Sequence, residues 1–72
     1  MTTRYWNAGD KGCGSLIVGL KQQLDRVGPR ELLGVTATNA GAAVDISSWC
    51  RVTGHVLIEA DHPHYVLRKR DA

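Results

Sequence analysis

A chain of 72 residues has room for one small domain, and 43% hydrophobic with 22% charged residues is an ordinary globular composition. The net charge of +2 does not favour nucleic acid, because acidic residues are interspersed among the basic ones. Two cysteines are too few for a disulfide framework, and no stretch approaches the roughly 20 apolar residues that cross a bilayer. We expect a single domain over residues 1–72, with an ordered core of about 4–70, in the reducing cytoplasm.

The first part of the chain predicts a strand, a glycine-rich loop and a helix. Residues 4–7 indicate a short strand, and residues 9–14 form a loop with three glycines. Over residues 15–27 apolar side chains recur at helical spacing, while polar side chains fill the opposite face. Gly28 and Pro29 then end this helix.

A second strand and a second helix follow. Residues 31–38 form a strand whose side chains alternate between two faces. One face carries Leu33, Val35 and Ala37. Asn39 resembles the N-cap of the second helix, and Gly54 ends it. The apolar face of this helix comprises Ala43, Ile46, Trp49 and Cys50.

The last part of the chain predicts two strands joined by a turn. Residues 55–59 and 65–69 indicate strands, and residues 61–64 form a turn around a proline. A hairpin at this turn would make the two strands antiparallel. The element order β-α-β-α-β-β predicts an α+β fold, a two-layer α/β sandwich with both helices on one face of a four-stranded mixed sheet.

Cys13 is the candidate for chemistry because it lies where the glycine-rich loop meets the first helix. Free N–H groups of the first turn and the positive end of the helix dipole favour the thiolate, which is the reactive form. The flanking glycines remove bulk around the sulfur, and a nearby lysine adds positive charge. The supporting loop and helix start comprise Asp10, Lys11, Gly12, Gly14 and Ser15. Asp10 and Ser15 compete to cap the helix, and a cysteine that merely packs beneath the loop is the alternative reading.

Short motifs in a particular order and spacing extend over residues 8–70. They are Gly12-Cys13-Gly14-Ser15-Leu16, Gly28-Pro29-Arg30-Glu31-Leu32, Asp45-Ile46, Trp49-Cys50, Gly54-His55 and Tyr65-Val66-Leu67-Arg68-Lys69. With this set the chain resembles the TusA/SirA-like sulfur-carrier proteins, which share the β-α-β-α-β-β layout. The family's Cys-Pro-x-Pro signature lacks both prolines here, since Gly14 and Leu16 stand in their places, which indicates a divergent branch.

The resemblance implies a sulfurtransferase that relays persulfide sulfur through Cys13. The donor would be a cysteine desulfurase or a rhodanese-like protein, and the acceptor another sulfur-relay protein. Such a relay serves tRNA thiolation, molybdenum-cofactor maturation or sulfur oxidation. The alternative is a non-catalytic interaction or regulatory domain that kept the fold and lost sulfur transfer. The missing prolines favour the alternative, whereas Cys13 in its glycine setting favours the carrier.

Other polar features indicate no cofactor and no metal. The glycine loop lacks the order of a nucleotide-binding motif, and the histidines lack metal-ligand spacing. These histidines are His55, His62 and His64. Cys50 is either a buried, inert thiol or a resolving thiol for Cys13. The basic run 68–70 is a solvated tail or strand end rather than a docking patch, so direct binding of nucleic acid is not expected.

Overall fold

Strands and helices follow one another in the order β-α-β-α-β-β in the computed structural model, which describes residues 2–71 and the side chains of residues 4–12 and 14–71. The elements are β1 (Thr2–Gly9), α1 (Cys13–Asp25), β2 (Leu32–Ala37), α2 (Ala42–Thr53), β3 (Val56–Asp61) and β4 (His64–Arg68). The predicted α+β fold is therefore confirmed. The first strand is longer than predicted, and the first helix begins two residues earlier.

The four strands form one mixed sheet in the order β1-β2-β4-β3. β1 and β2 run parallel, while β4 is antiparallel to both of its neighbours. A parallel pair needs a crossover, and α1 supplies it. Since α1 follows β1 and α2 follows β2, both helices begin at the same end of the sheet. The β3–β4 turn lies at that end too, because the N–H of Ala37 donates to the carbonyl of Pro63 over 2.8 Å.

The core lies between the two helices and one face of the sheet. The predicted alternation in β2 is confirmed, with all three residues of its apolar face buried. They meet an α1 stripe and residues from α2 and β4, namely Leu16, Leu20, Leu24, Ala42, Ile46, Cys50, Tyr65 and Leu67. The predicted apolar face of α2 was wrong at Ala43, which is exposed. Ala42 is buried instead. It is the first residue of α2, and with Ile46 and Cys50 it lies on the side of the helix that is buried in the core.

Glycines, not polar side chains, stand at the N-caps of both helices. Gly12 precedes α1 and Gly41 precedes α2, and neither helix start has a side-chain cap. The prediction of a cap from Asp10 or Ser15 was wrong, because α1 already begins before Ser15 and Asp10 lies in the turn after β1. Asn39 is not an N-cap either. Its Oδ1 accepts the N–H of Gly41 over 2.8 Å and forms a turn before the helix begins.

The C-terminal ends of the helices contact the basic run. The Lys69 ammonium donates to the carbonyl of Val27, just beyond α1, over 2.9 Å. The Arg70 guanidinium donates to the carbonyl of Thr53, the last residue of α2. Positive charge at these carbonyls complements the negative end of each helix dipole. Two of the three predicted tail cations thus contribute to the fold.

Candidate functional site

Cys13 is the first residue of α1 and follows an extended Gly12. The carbonyl of Gly12 accepts the first helical hydrogen bond, from the N–H of Leu16 over 2.8 Å. The N–H groups of residues 13–15 precede that bond and are the donors that a helix leaves without an intrahelical acceptor. The predicted reach and ionisation of the Cys13 thiol concern a side chain outside the described residues, so they stay predictions.

The loop before Cys13 is held against the loop that follows β2. The N–H of Thr38 donates to the carbonyl of Gly9 over 2.8 Å, and the side-chain amide of Asn39 donates to the carbonyl of Asp10 over 3.3 Å. The N–H of Lys11 donates to the carbonyl of Ala8 over 3.4 Å. The predicted supporting residues thereby lie together on the surface, and every one of them is exposed. They are Asp10, Lys11, Gly12, Gly14 and Ser15.

A groove of about 640 Å³ runs along α1 from this helix start, and we call it the α1 groove. It is lined by Trp6, Lys11, Gly14, Ser15, Val18, Gly19, Gln22 and Gln23. The sequence reasoning found the loop residues of this set and missed Trp6 and Val18. Val18 carried a signal, because it is an apolar residue outside the predicted apolar stripe of the helix. In the structure this residue is 57% exposed.

Trp6 forms part of the groove because Gly19 leaves space for its ring. A Cβ atom placed on Gly19 would overlap the far edge of the Trp6 indole, with Cζ2 only 2.5 Å away. The ring is half-buried and packs against the core from β1. A glycine inside a helix is normally unfavourable, so this one is explained by the close approach of the aromatic ring.

Cys50 is buried, as its place on the apolar face of α2 predicts. Burial raises the pKa of its thiol to about 11. At neutral pH the reactive thiolate is therefore scarce at this position. These properties match the inert alternative, and the role of a resolving thiol stays a prediction.

Each histidine has a partner within the fold. His55 Nδ1 accepts the backbone N–H of Arg70 over 3.1 Å, and its ring lies 5.2 Å from that of Trp49. Burial, followed by the charges of Arg70 and Lys69, lowers the His55 pKa. The other two bond across the hairpin and the sheet, in the pairs His62–Tyr65 and His64–Thr36. Within the described residues, His, Cys, Asp and Glu side chains nowhere gather in a group of three that would hold a metal ion.

Comparison with known proteins agrees with this arrangement. The family model described as "Sulfurtransferase TusA" matches residues 7–69, which is most of the chain. This chain belongs to the TusA family. It is also 40% identical over 48 residues to two proteins of Neisseria meningitidis, "Putative sulfur carrier protein NMA0882" of serogroup A and "Putative sulfur carrier protein NMB0681" of serogroup B. The match covers 67% of this chain and 65% of each relative, so the chain spans just under two thirds of their length. Neither described helix has the length and apolar character that a membrane span requires.

Proposed function

We propose that the protein is a sulfur carrier that holds persulfide sulfur on Cys13. Membership of the TusA family and two sulfur-carrier relatives support this role. The observation on which the proposal rests most is the position of Cys13 as the first residue of α1, between the exposed residues Gly12 and Gly14. Partner proteins could approach this helix start, because the residues on either side of Cys13 are exposed.

The missing prolines do not remove this arrangement. In the family signature a proline after the cysteine presets the helix start. In this chain α1 begins at Cys13 although Gly14 and Leu16 replace the prolines. Leu16 is fully buried, so it anchors the first turn by packing against the core. The structural argument for the alternative, a domain that lost transfer, is correspondingly weaker.

The relay consists of two successive nucleophilic displacements at sulfur. The Cys13 thiolate attacks the outer sulfur of a donor persulfide, the S–S bond of the donor breaks, and the donor cysteine leaves as thiolate. Cys13 then carries an S–SH group, and free N–H groups at a helix start would favour its anionic form. An acceptor thiolate attacks the outer sulfur in turn, and Cys13 leaves as thiolate.

The partners follow from this chemistry. A cysteine desulfurase or a rhodanese-like protein would load Cys13, and an acceptor protein with a reactive cysteine would unload it. We place the relay in the cytoplasm, where thiols stay reduced. The pathway would be tRNA thiolation, molybdenum-cofactor maturation or sulfur oxidation, since each consumes sulfur delivered in this form.

Intact mass spectrometry tests the proposal. After incubation with a cysteine desulfurase and cysteine, the protein should gain about 32 Da per sulfur atom and lose it on reduction. Cys13→Ser should abolish the gain. Cys50→Ala, a substitution of the buried thiol, is the matched control and should retain it. If several desulfurases and rhodaneses left the wild-type mass unchanged, the carrier role would be wrong and the non-catalytic interaction domain would take its place.

A further inference from the structure

The α1 groove has a length that suits an extended peptide. From Ser15 to Gln23 the helix rises by about 12 Å, at ~1.5 Å per residue. An extended chain covers that distance with about four residues, at ~3.3 Å each. One end of the groove is lined by Lys11, Gly14 and Ser15, at the helix start that carries Cys13. A peptide along it would bring one of its side chains to that cysteine.

The groove has an apolar surface and lies beside an edge strand of the sheet. The Trp6 ring and the exposed Val18 form the apolar part. Trp6 belongs to β1, which is an edge strand of the sheet. The outer N–H and C=O groups of an edge strand are free to bind an additional extended segment. One aliphatic side chain of such a segment would cover the indole and the valine.

The positive charges at and near the groove favour an acidic partner. Among the described residues that line it, Lys11 is the one charged side chain, and it lies at the cysteine end. Gln23 accepts a hydrogen bond from the Arg4 guanidinium over 2.7 Å, which adds a second cation near the opposite end. The nearby Asp25 carboxylate is paired with Lys21 over 3.3 Å and does not line the groove. Two cations flanking an apolar centre match a segment with acidic residues around an aliphatic one.

We propose that the α1 groove binds an extended acidic segment of the relay partner, and that this segment carries the cysteine that exchanges sulfur with Cys13. The proposal rests on the proposed carrier function and adds the surface and the type of segment through which the carrier recognises its partner. Binding precedes transfer and brings the partner's cysteine to the end of the groove at which α1 begins.

Two synthetic peptides probe the groove. Both are acetylated, amidated pentapeptides with one leucine and one cysteine, and they differ only in carrying aspartates or lysines at the charged positions. The cysteine is activated as a mixed disulfide with 5-thio-2-nitrobenzoate. The Cys13 thiolate attacks the peptide sulfur, a mixed disulfide forms, and coloured 5-thio-2-nitrobenzoate leaves as thiolate. The protein carries Cys50→Ala so that one thiol reacts.

The rates should depend on charge and on the wall of the groove. We expect the acidic peptide to react about threefold faster than the basic one, or more, at low salt. One exposed ion pair contributes enough binding free energy for a difference of this size. Lys11→Glu should abolish or reverse that preference. Val18→Asp should slow the acidic peptide by about fivefold or more, because it removes apolar contact and repels the aspartates. Val52→Asp is the matched control, since this valine is 84% exposed at the far end of α2 and should leave the rate unchanged.

A binding measurement separates docking from reactivity. The acidic peptide with serine in place of cysteine should shift the indole N–H signal of Trp6 in a ¹⁵N-correlated NMR spectrum, and leave that of Trp49 in place. Equal rates for both peptides, together with Val18→Asp reacting like wild type, would overturn the proposal. Movement of the Trp6 signal on dilution without peptide would assign the groove to a second copy of the chain and overturn it as well.

The two proposals fail in distinguishable ways. If the peptide results hold but no persulfide forms in the mass experiment, the carrier function is wrong and the groove remains a peptide-binding site. If Cys13 accepts sulfur while both peptides react at equal rates and Val18→Asp reacts like the wild type, the groove proposal is wrong and the carrier remains.

Discussion

Replacing Gly19 by alanine tests whether the Trp6 ring packs against the glycine of α1. Two opposing effects decide the outcome. Alanine favours an interior helical position by about 1 kcal/mol over glycine. Its Cβ, however, would overlap the Trp6 indole, and overpacking of this kind costs about 1–3 kcal/mol. Since the ring is only half-buried and can partly yield, we expect a net loss of about 0.5–1 kcal/mol in the free energy of unfolding.

Unfolding in urea and unfolding on heating, each followed by circular dichroism, measure this loss. The melting temperature should fall by about 4 °C, given ~4–8 °C per kcal/mol for a domain of this size. Gly14→Ala is a control in the same helix, because a Cβ at that position meets no atom within 4 Å and should not destabilise the protein. In a Trp6→Leu background the overlap disappears, so Gly19→Ala should become stabilising. The packing argument is wrong if Gly19→Ala stabilises the wild-type protein as much as it stabilises the Trp6→Leu variant.

Three further predictions follow from the two thiols, the basic run and one histidine. Iodoacetamide should alkylate Cys13 faster than free cysteine at neutral pH, while buried Cys50, with a pKa of about 11, should react only on unfolding, as peptide mass mapping would show. Lys69→Ala and Arg70→Ala should each lower the free energy of unfolding by about 1 kcal/mol in urea titrations, because each leaves a helix-end carbonyl without its cation. The His55 pKa is lower in the fold than its ordinary 6.5, so the folded state binds fewer protons than the unfolded state, and stability should fall as the pH drops from about 7 to 5.

Each of these predictions has a contradicting result. A Cys13 pKa at or above the ~8.5 of an unperturbed thiol, taken from the pH dependence of alkylation, would refute the effect of the helix start. For the basic run, Arg68→Ala is the control, since Arg68 is exposed at the end of β4, and an equal loss there would rule out a specific role of the helix-end contacts. A His55→Gln variant should lose this part of the pH dependence. If its stability fell with pH as steeply as in the wild type, another group would be responsible.

The element order could be predicted from local patterns. The apolar spacing in the first helix, the alternation at Leu33, Val35 and Ala37, and the proline turn each depend on neighbours in the sequence. Periodicity reports which side of an element is buried, and the two periods of 3.6 and 2 residues are distinct. The structure confirms the resulting fold, and it also buries Cys50 as its helical position predicts.

The N-cap residues of the two helices were predicted wrongly from the sequence. Polar residues such as Asp10 and Asn39 are common N-caps, yet glycines occupy both caps here. The local preference is worth about 1 kcal/mol, and packing of the first helical turns against the sheet outweighs it. Leu16 and Ala42, both fully buried, are the residues that this packing involves.

Sequence alone determined the order of the elements, the apolar faces of most of them and the family resemblance, and it made Cys13 the candidate for chemistry, because these depend on residue type and short spacing. Tertiary structure alone decided the contact of Trp6 with Gly19, the α1 groove and the use of Lys69 and Arg70 at the helix ends. Each of these joins residues that are distant along the chain, and the distances between them are set only when the helices pack on the sheet.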